Sequence, residues 1–210
     1  NIFGSSVFGL RIPSVVASIV TFLSVALIGF RTQGTKLAIV ASAVFSCWPL
    51  YMIFHGARSG DPDAIYILWY LAAISLLIRN YGITPKDYLA AGLFCALAFL
   101  TKSFHVIALV ATLAVFSLFD FKSFLDRAKA MGFLSLGVAI PSSIWVAFRW
   151  KYDQFTFLGK MIGIDMLQRS SEAMEGHNGP WYFYLEYLWH ESKYWMIIGV
   201  ACLAVLSRLT

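Results

Sequence analysis

The sequence predicts an all-α protein: a polytopic bundle of transmembrane helices with one long extracytoplasmic loop. Three observations lead there. Of the 210 residues, 60% are hydrophobic and only 13% charged, against roughly half and a quarter in soluble domains. Apolar runs recur along the chain, separated by short polar turns. One polar interval, residues 150–193, interrupts this pattern and holds most of the acidic residues.

The runs follow in order. Arg11-Ile-Pro-Ser14 opens a span over residues 12–30, with Pro13 expected in the first turn, where spare N–H groups tolerate it. About twenty apolar residues cross the hydrocarbon layer. The turn Arg31-Thr-Gln-Gly-Thr-Lys36 leads to a second span, 37–54, with Trp48-Pro49 near its end. The stretch His55-Gly-Ala-Arg-Ser-Gly-Asp-Pro-Asp63 is dense in charge and turn-formers, and a short third span follows at 64–78. Beyond Arg79-Asn-Tyr-Gly-Ile-Thr-Pro-Lys-Asp87 come two runs, 88–100 and 106–119, parted by Thr101-Lys-Ser-Phe-His105. These read as a pair of spans with a tight turn, and otherwise as one long bent helix. A sixth span covers 130–148. The outer loop, 150–193, comes next, and a seventh span starts at 194–206. The whole reads as a single transmembrane domain. Its start at Asn1 and its end just after an apolar run read as a piece of a longer protein.

Charge sets the expected orientation. Arg31 and Lys36, Arg79 and Lys86, Lys122, Arg127 and Lys129, and Arg208 fall on one side of these spans. Basic residues in short loops favour the cytoplasm, while long loops count little. Arg11, residues 55–63, residues 101–105 and the long loop are therefore expected on the outer face. The net charge of +5 is read as topology and lipid contact, not as a nucleic-acid footprint. Cys47, Cys95 and Cys202 lie in apolar runs and read as small buried hydrophobes, not as a disulfide frame or a zinc site.

Four polar groups are candidates for chemistry. Arg11 is either an interfacial side chain reaching toward lipid headgroups or a phosphate ligand, a role that suits the planar guanidinium. Arg58 stands with Asp61 and Asp63 in a turn where Asp61 is a candidate helix cap. Lys102 and His105 bring charge close to the membrane, a functional signal unless the turn lies at the interface. In the long loop, Asp165, Arg169 and Glu172 have the spacing of one helix face, which is usually only a solvated one. His177-Asn-Gly-Pro then turns into an aromatic run including Trp181, Tyr182 and Tyr184. His177 is a candidate proton carrier or metal ligand, although no second ligand stands at metal spacing. No P-loop, nucleophile elbow or dinucleotide fingerprint occurs.

Four pieces in order resemble the membrane-embedded GT-C glycosyltransferases. They are Phe8-Gly-Leu-Arg-Ile-Pro-Ser14, Ala57-Arg-Ser-Gly-Asp-Pro-Asp63, Gly92-Leu-Phe-Cys-Ala-Leu-Ala-Phe-Leu-Thr-Lys102 and His177-Asn-Gly-Pro-Trp-Tyr-Phe-Tyr184. The nearest resemblance is to the branch with the aminoarabinose transferases of lipid A and the protein mannosyltransferase-like enzymes. The resemblance implies transfer of a sugar, hexose or pentose, from a polyprenyl-phosphate carrier to a glycolipid or protein hydroxyl. The reaction would take place at the outer face of the cytoplasmic membrane. It implies that Arg11, Arg58 and Lys102 bind the donor phosphate. It implies that Asp61, Asp63, His105, His177 and Tyr184 position donor or acceptor, with His177 a possible ligand of a divalent metal. The family's catalytic carboxylate belongs to a loop ahead of the Arg-x-Pro-Ser piece, so it is expected upstream of Asn1, and this piece is expected to be inactive alone. The competing class is a lipid or glycan transporter, which also needs many spans and buried charge. Transporters often carry internal repeats, and none is seen here.

Overall fold

A computed structural model describes residues 7–48, 51–52, 60–78, 82–168 and 182–208. Among these residues regular structure is entirely helical. The α-helices run in order as α1 (Val7–Gln33), α2 (Thr35–Ser46), α3 (Asp63–Leu77), α4 (Asp87–Lys102), α5 (Val106–Asp120), α6 (Phe124–Asp153), α7 (Thr156–Lys160) and α8 (Phe183–Arg208). A 3-10 turn, Ser103–His105, joins α4 to α5, and a π-helical segment, Met161–Gln168, continues α7. Among the described residues, Val7–Gln33 and Phe124–Asp153 are each long and apolar enough to cross a membrane, and the stretch Asp87–Asp120 is as apolar but is folded back on itself. The chain divides into two compact units, one of residues Asn1–Asn80 with Trp181–Thr210, the other of Tyr81–Pro180.

In the first unit α1 is 27 residues long, about 40 Å at 1.5 Å per residue. Pro13 stands inside the helix, in its second turn and not its first, because the helix begins at Val7. Gly34 ends α1 with φ 76°, a left-handed conformation that costs glycine least. The chain reverses there, so α2 runs antiparallel to α1. A Cβ on Gly29 would lie 2.8 Å from the Ala38 Cα, so the two backbones approach as closely as small residues allow. The expected second span, 37–54, is interrupted: α2 stops at Ser46, and Cys47 and Trp48 leave the helix. Pro49 disfavours helical geometry at the residue before it. Cys47 is correspondingly exposed, whereas Cys95 is buried as expected. α3 runs parallel to α1, tied at its far end by a 2.9 Å bond from Arg31 Nη1 to the Ser75 carbonyl.

In the second unit α4 and α5 double back on each other. The Tyr88 hydroxyl donates to Asp120 Oδ2 at 2.8 Å across 32 positions of sequence. An unbroken helix would hold those residues about 48 Å apart. The break comes at Ser103, whose φ is 47°. α6 then runs parallel to α4. Tyr88 meets Phe121 at 5.8 Å between ring centroids, and Phe99 meets Trp145 at 6.0 Å. Between those contacts lies a seam of small buried residues, Ala91, Gly92, Cys95 and Ala96 on α4 with Ala130 and Gly137 on α6. A Cβ on Gly92 would strike the Leu134 carbonyl oxygen and come within 3.0 Å of the Gly137 Cα. α8 begins at Phe183, so helix occupies the end of the stretch expected as loop.

Candidate functional site

In the first unit two of the polar pieces meet. Gly60, with φ 79°, turns the chain against the start of α1. A Cβ built on Gly60 would lie 3.4 Å from the Leu10 carbonyl oxygen and 3.6 Å from Arg11 Cγ, which is ordinary packing distance. The Ser14 hydroxyl donates to the Asp61 carbonyl oxygen at 3.2 Å. Ser14 is buried to 1% exposure, so its hydroxyl needs such a partner. Ser18 bonds back to the Ser14 carbonyl at 2.7 Å and receives the Tyr51 hydroxyl at 3.0 Å. Arg11 therefore stands exposed beside the Gly60-Asp-Pro-Asp63 turn, with its stem against the turn's first residue.

The expected cap at Asp61 is corrected. The N-cap position of α3 is Pro62, with no side-chain cap bond. Asp63 lies in the first turn of α3, where a carboxylate is favoured by the helix dipole. Asp61 gives its backbone carbonyl to Ser14 instead. Arg58 and His177 lie outside the described residues, as do Arg169 and Glu172. Tyr184 is the second residue of α8 and Asp165 belongs to the π-helical segment; their side chains are also outside the description.

In the second unit, Lys102 closes α4, where a cation complements the helix dipole. His105 Nδ1 is 2.9 Å from the Lys102 carbonyl oxygen. A carbonyl only accepts, so in this contact Nδ1 is the donor. The same end of the unit holds two charged residues that sequence reasoning passed over, Arg149 and Asp153. They form an ion pair at the close of α6. Asp153 Oδ2 also accepts the Phe157 N–H at 3.3 Å, and Arg149 Cζ lies 4.4 Å from the Phe157 ring centroid. The signal available in sequence was their spacing of four on a helical pattern.

Among the described residues no three His, Cys, Asp or Glu side chains gather closely enough to hold a metal ion. What the two clusters can do chemically is bind anions through the cationic side chains of Arg11 and Lys102.

Residues 1–145 match the profile of a family described as dolichyl-phosphate-mannose-protein mannosyltransferase. Among curated proteins, the chain is similar to an undecaprenyl phosphate-alpha-4-amino-4-deoxy-L-arabinose arabinosyl transferase of Serratia proteamaculans. That match is 24% identical over 203 residues, covering 94% of this chain and 36% of the relative. Proteins of the same name from Pseudomonas paraeruginosa and Pseudomonas aeruginosa are 27% identical over 215 and 200 residues, covering 96% and 89% of this chain. The chain spans about a third of the length of these relatives, 36%, 36% and 35% in turn. No solved structure matches it.

Proposed function

The chain belongs to the dolichyl-phosphate-mannose-protein mannosyltransferase family, and on that premise we propose that the protein it comes from is a membrane glycosyltransferase using a polyprenyl-phosphate sugar. The acceptor is a lipid A-type glycolipid or a protein hydroxyl, and the reacting face is the outer face of the cytoplasmic membrane. The donor named by the curated relatives, an undecaprenyl-phosphate aminoarabinose, is the first to test.

The observation that carries this reading beyond resemblance is the contact between Arg11 and the Gly60-Asp-Pro-Asp63 turn. Two pieces 47 residues apart in sequence are packed into one polar corner at the end of α1. In the transfer, the bond between the sugar's anomeric carbon and the phosphate oxygen breaks as the acceptor oxygen attacks. Negative charge grows on the departing phosphate. Fixed cations that bind it more strongly as it departs lower the barrier. The cations proposed for that task are Arg11, Arg58 and Lys102. Asp61, Asp63, His105, His177 and Tyr184 are proposed to position donor or acceptor. The general base is assigned to none of these residues.

The test is transfer from defined polyprenyl-phosphate sugars by the full-length protein in membranes, with Arg11 and Arg58 intact or replaced by alanine. A loss of about a hundredfold or more on replacement, the scale of removing one charge-stabilising donor, supports the reading. Normal transfer by both variants removes the phosphate assignment. Movement of the lipid across the bilayer without transfer from any donor replaces the transferase with a transporter.

A further inference from the structure

Arg149 and Asp153 have no place in the donor-phosphate reading, yet they occupy a distinctive position. An ion pair four residues apart on an exposed helix contributes little. This pair is largely covered, with side-chain exposures of 29% and 25%, and it reaches into the next element. Asp153 Oδ2 serves the Arg149 guanidinium and the Phe157 N–H together. The guanidinium in turn lies over the Phe157 ring, an attraction between cation and π-face. One carboxylate and one cation thus bridge the end of α6 and the start of α7.

What they bridge is a sharp turn of unfavourable backbone. Gln154 and Phe155 have φ 50° and 69°, two successive left-handed residues without a glycine. Such a pair persists only where its surroundings hold it. The Phe155 ring is seated on Trp150 at 5.0 Å. From Phe157 a row of edge-on rings continues through Trp145 at 6.2 Å, Phe99 at 6.0 Å and Phe104 at 6.1 Å. Phe104 lies in the Ser103–His105 turn, and that turn itself touches the Met161–Gln168 segment. The row and the touching segment close a loop of contacts around the end of this unit, and the ion pair is its hinge pin.

We infer that Arg149 and Asp153 form a latch, and that Arg149 is a positioning residue which seats α7 and the Met161–Gln168 segment against the Ser103–His105 turn. The consequence for turnover rests on the proposed function; the latch itself does not. Without it, the left-handed turn relaxes and the segment leaves the end of α4 where Lys102 sits.

A double-mutant cycle in the full-length membrane protein tests this, using Arg149→Gln, Asp153→Asn and the pair. The first readout is the rate of tryptic cleavage after Lys160, the exposed last residue of α7, with fragments identified by mass. Each single change should raise the rate about tenfold, and the double about tenfold again over the unaltered protein and not a hundredfold, since two halves of one contact do not add. Rates equal to the unaltered protein, or multiplied effects in the double, overturn the latch. The second readout is kcat and KM for the polyprenyl-phosphate sugar. Both single changes should lower kcat/KM at unchanged protein abundance, with Arg149→Lys, which keeps the charge, restoring most of it. Faster cleavage with unchanged transfer overturns the positioning role. Should no donor support transfer, the proposed function fails, while the cleavage cycle still decides the latch.

Discussion

Tyr88 shows how much one polar atom can organise in an apolar bundle. Its side chain is fully buried, and its hydroxyl closes the α4–α5 hairpin through Asp120. Tyr88→Phe removes the donor and leaves Asp120 short of a partner. The expected loss is about 1–2 kcal/mol, the cost of stranding a covered polar group, read as a lower unfolding midpoint in detergent. An unchanged midpoint would mean that water or lipid headgroups replace the bond. At Arg11 the distinction is between charge and shape. Arg11→Lys keeps the charge but loses the fork, so transfer should fall by about tenfold, less than for Arg11→Ala. Equal activity of both variants would return Arg11 to the role of an interfacial anchor. These residues were unequally legible. Arg11 and Lys102 stand out in sequence because charge is rare there, whereas Arg149 and Asp153 sit one helical turn apart at a span's edge and resemble an ordinary solvated pair.

Among elements, the α4–α6 seam is the tightest crossing described. Gly92 and Gly137 face each other with no room for a side chain. Gly92→Val or Gly137→Val must push the helices apart along the whole seam, and a loss of about 3 kcal/mol or more is expected from overpacking at backbone contact. The measurement is the yield of folded protein and its thermal midpoint. Gly132, on the same helix, meets nothing within 4 Å. Gly132→Ala should therefore be neutral or slightly stabilising, which makes it the matched control. The seam was invisible in sequence because Gly92, Cys95 and Ala96 look like any apolar run; only the register against α6 makes them a contact surface. The interruption of the expected second span at Cys47 was legible after the fact in Pro49, whose effect on the preceding residue is local chemistry.

For the whole molecule, the charge bias makes a prediction about sidedness. Single cysteines at Gly34 and Ser123 should react with a membrane-impermeant maleimide only from the cytoplasmic side, and cysteines at Gly60 and His105 only from the outside. The reverse pattern would invert the proposed active face, and a mixed pattern would change the number of spans. Composition and spacing alone determined that the chain is helical and built for a membrane, because the cost of unpaired backbone groups in hydrocarbon leaves an apolar chain few other options. They also marked where charge is scarce. Only the tertiary structure decided which scarce charges become neighbours. Arg11 meets the Gly60-Asp-Pro-Asp63 turn because α3 runs parallel to α1, and Asp153 meets Phe157 because two left-handed residues turn the chain back. Both depend on helix register and turn geometry, which side-chain packing sets and which no periodicity of apolar residues encodes.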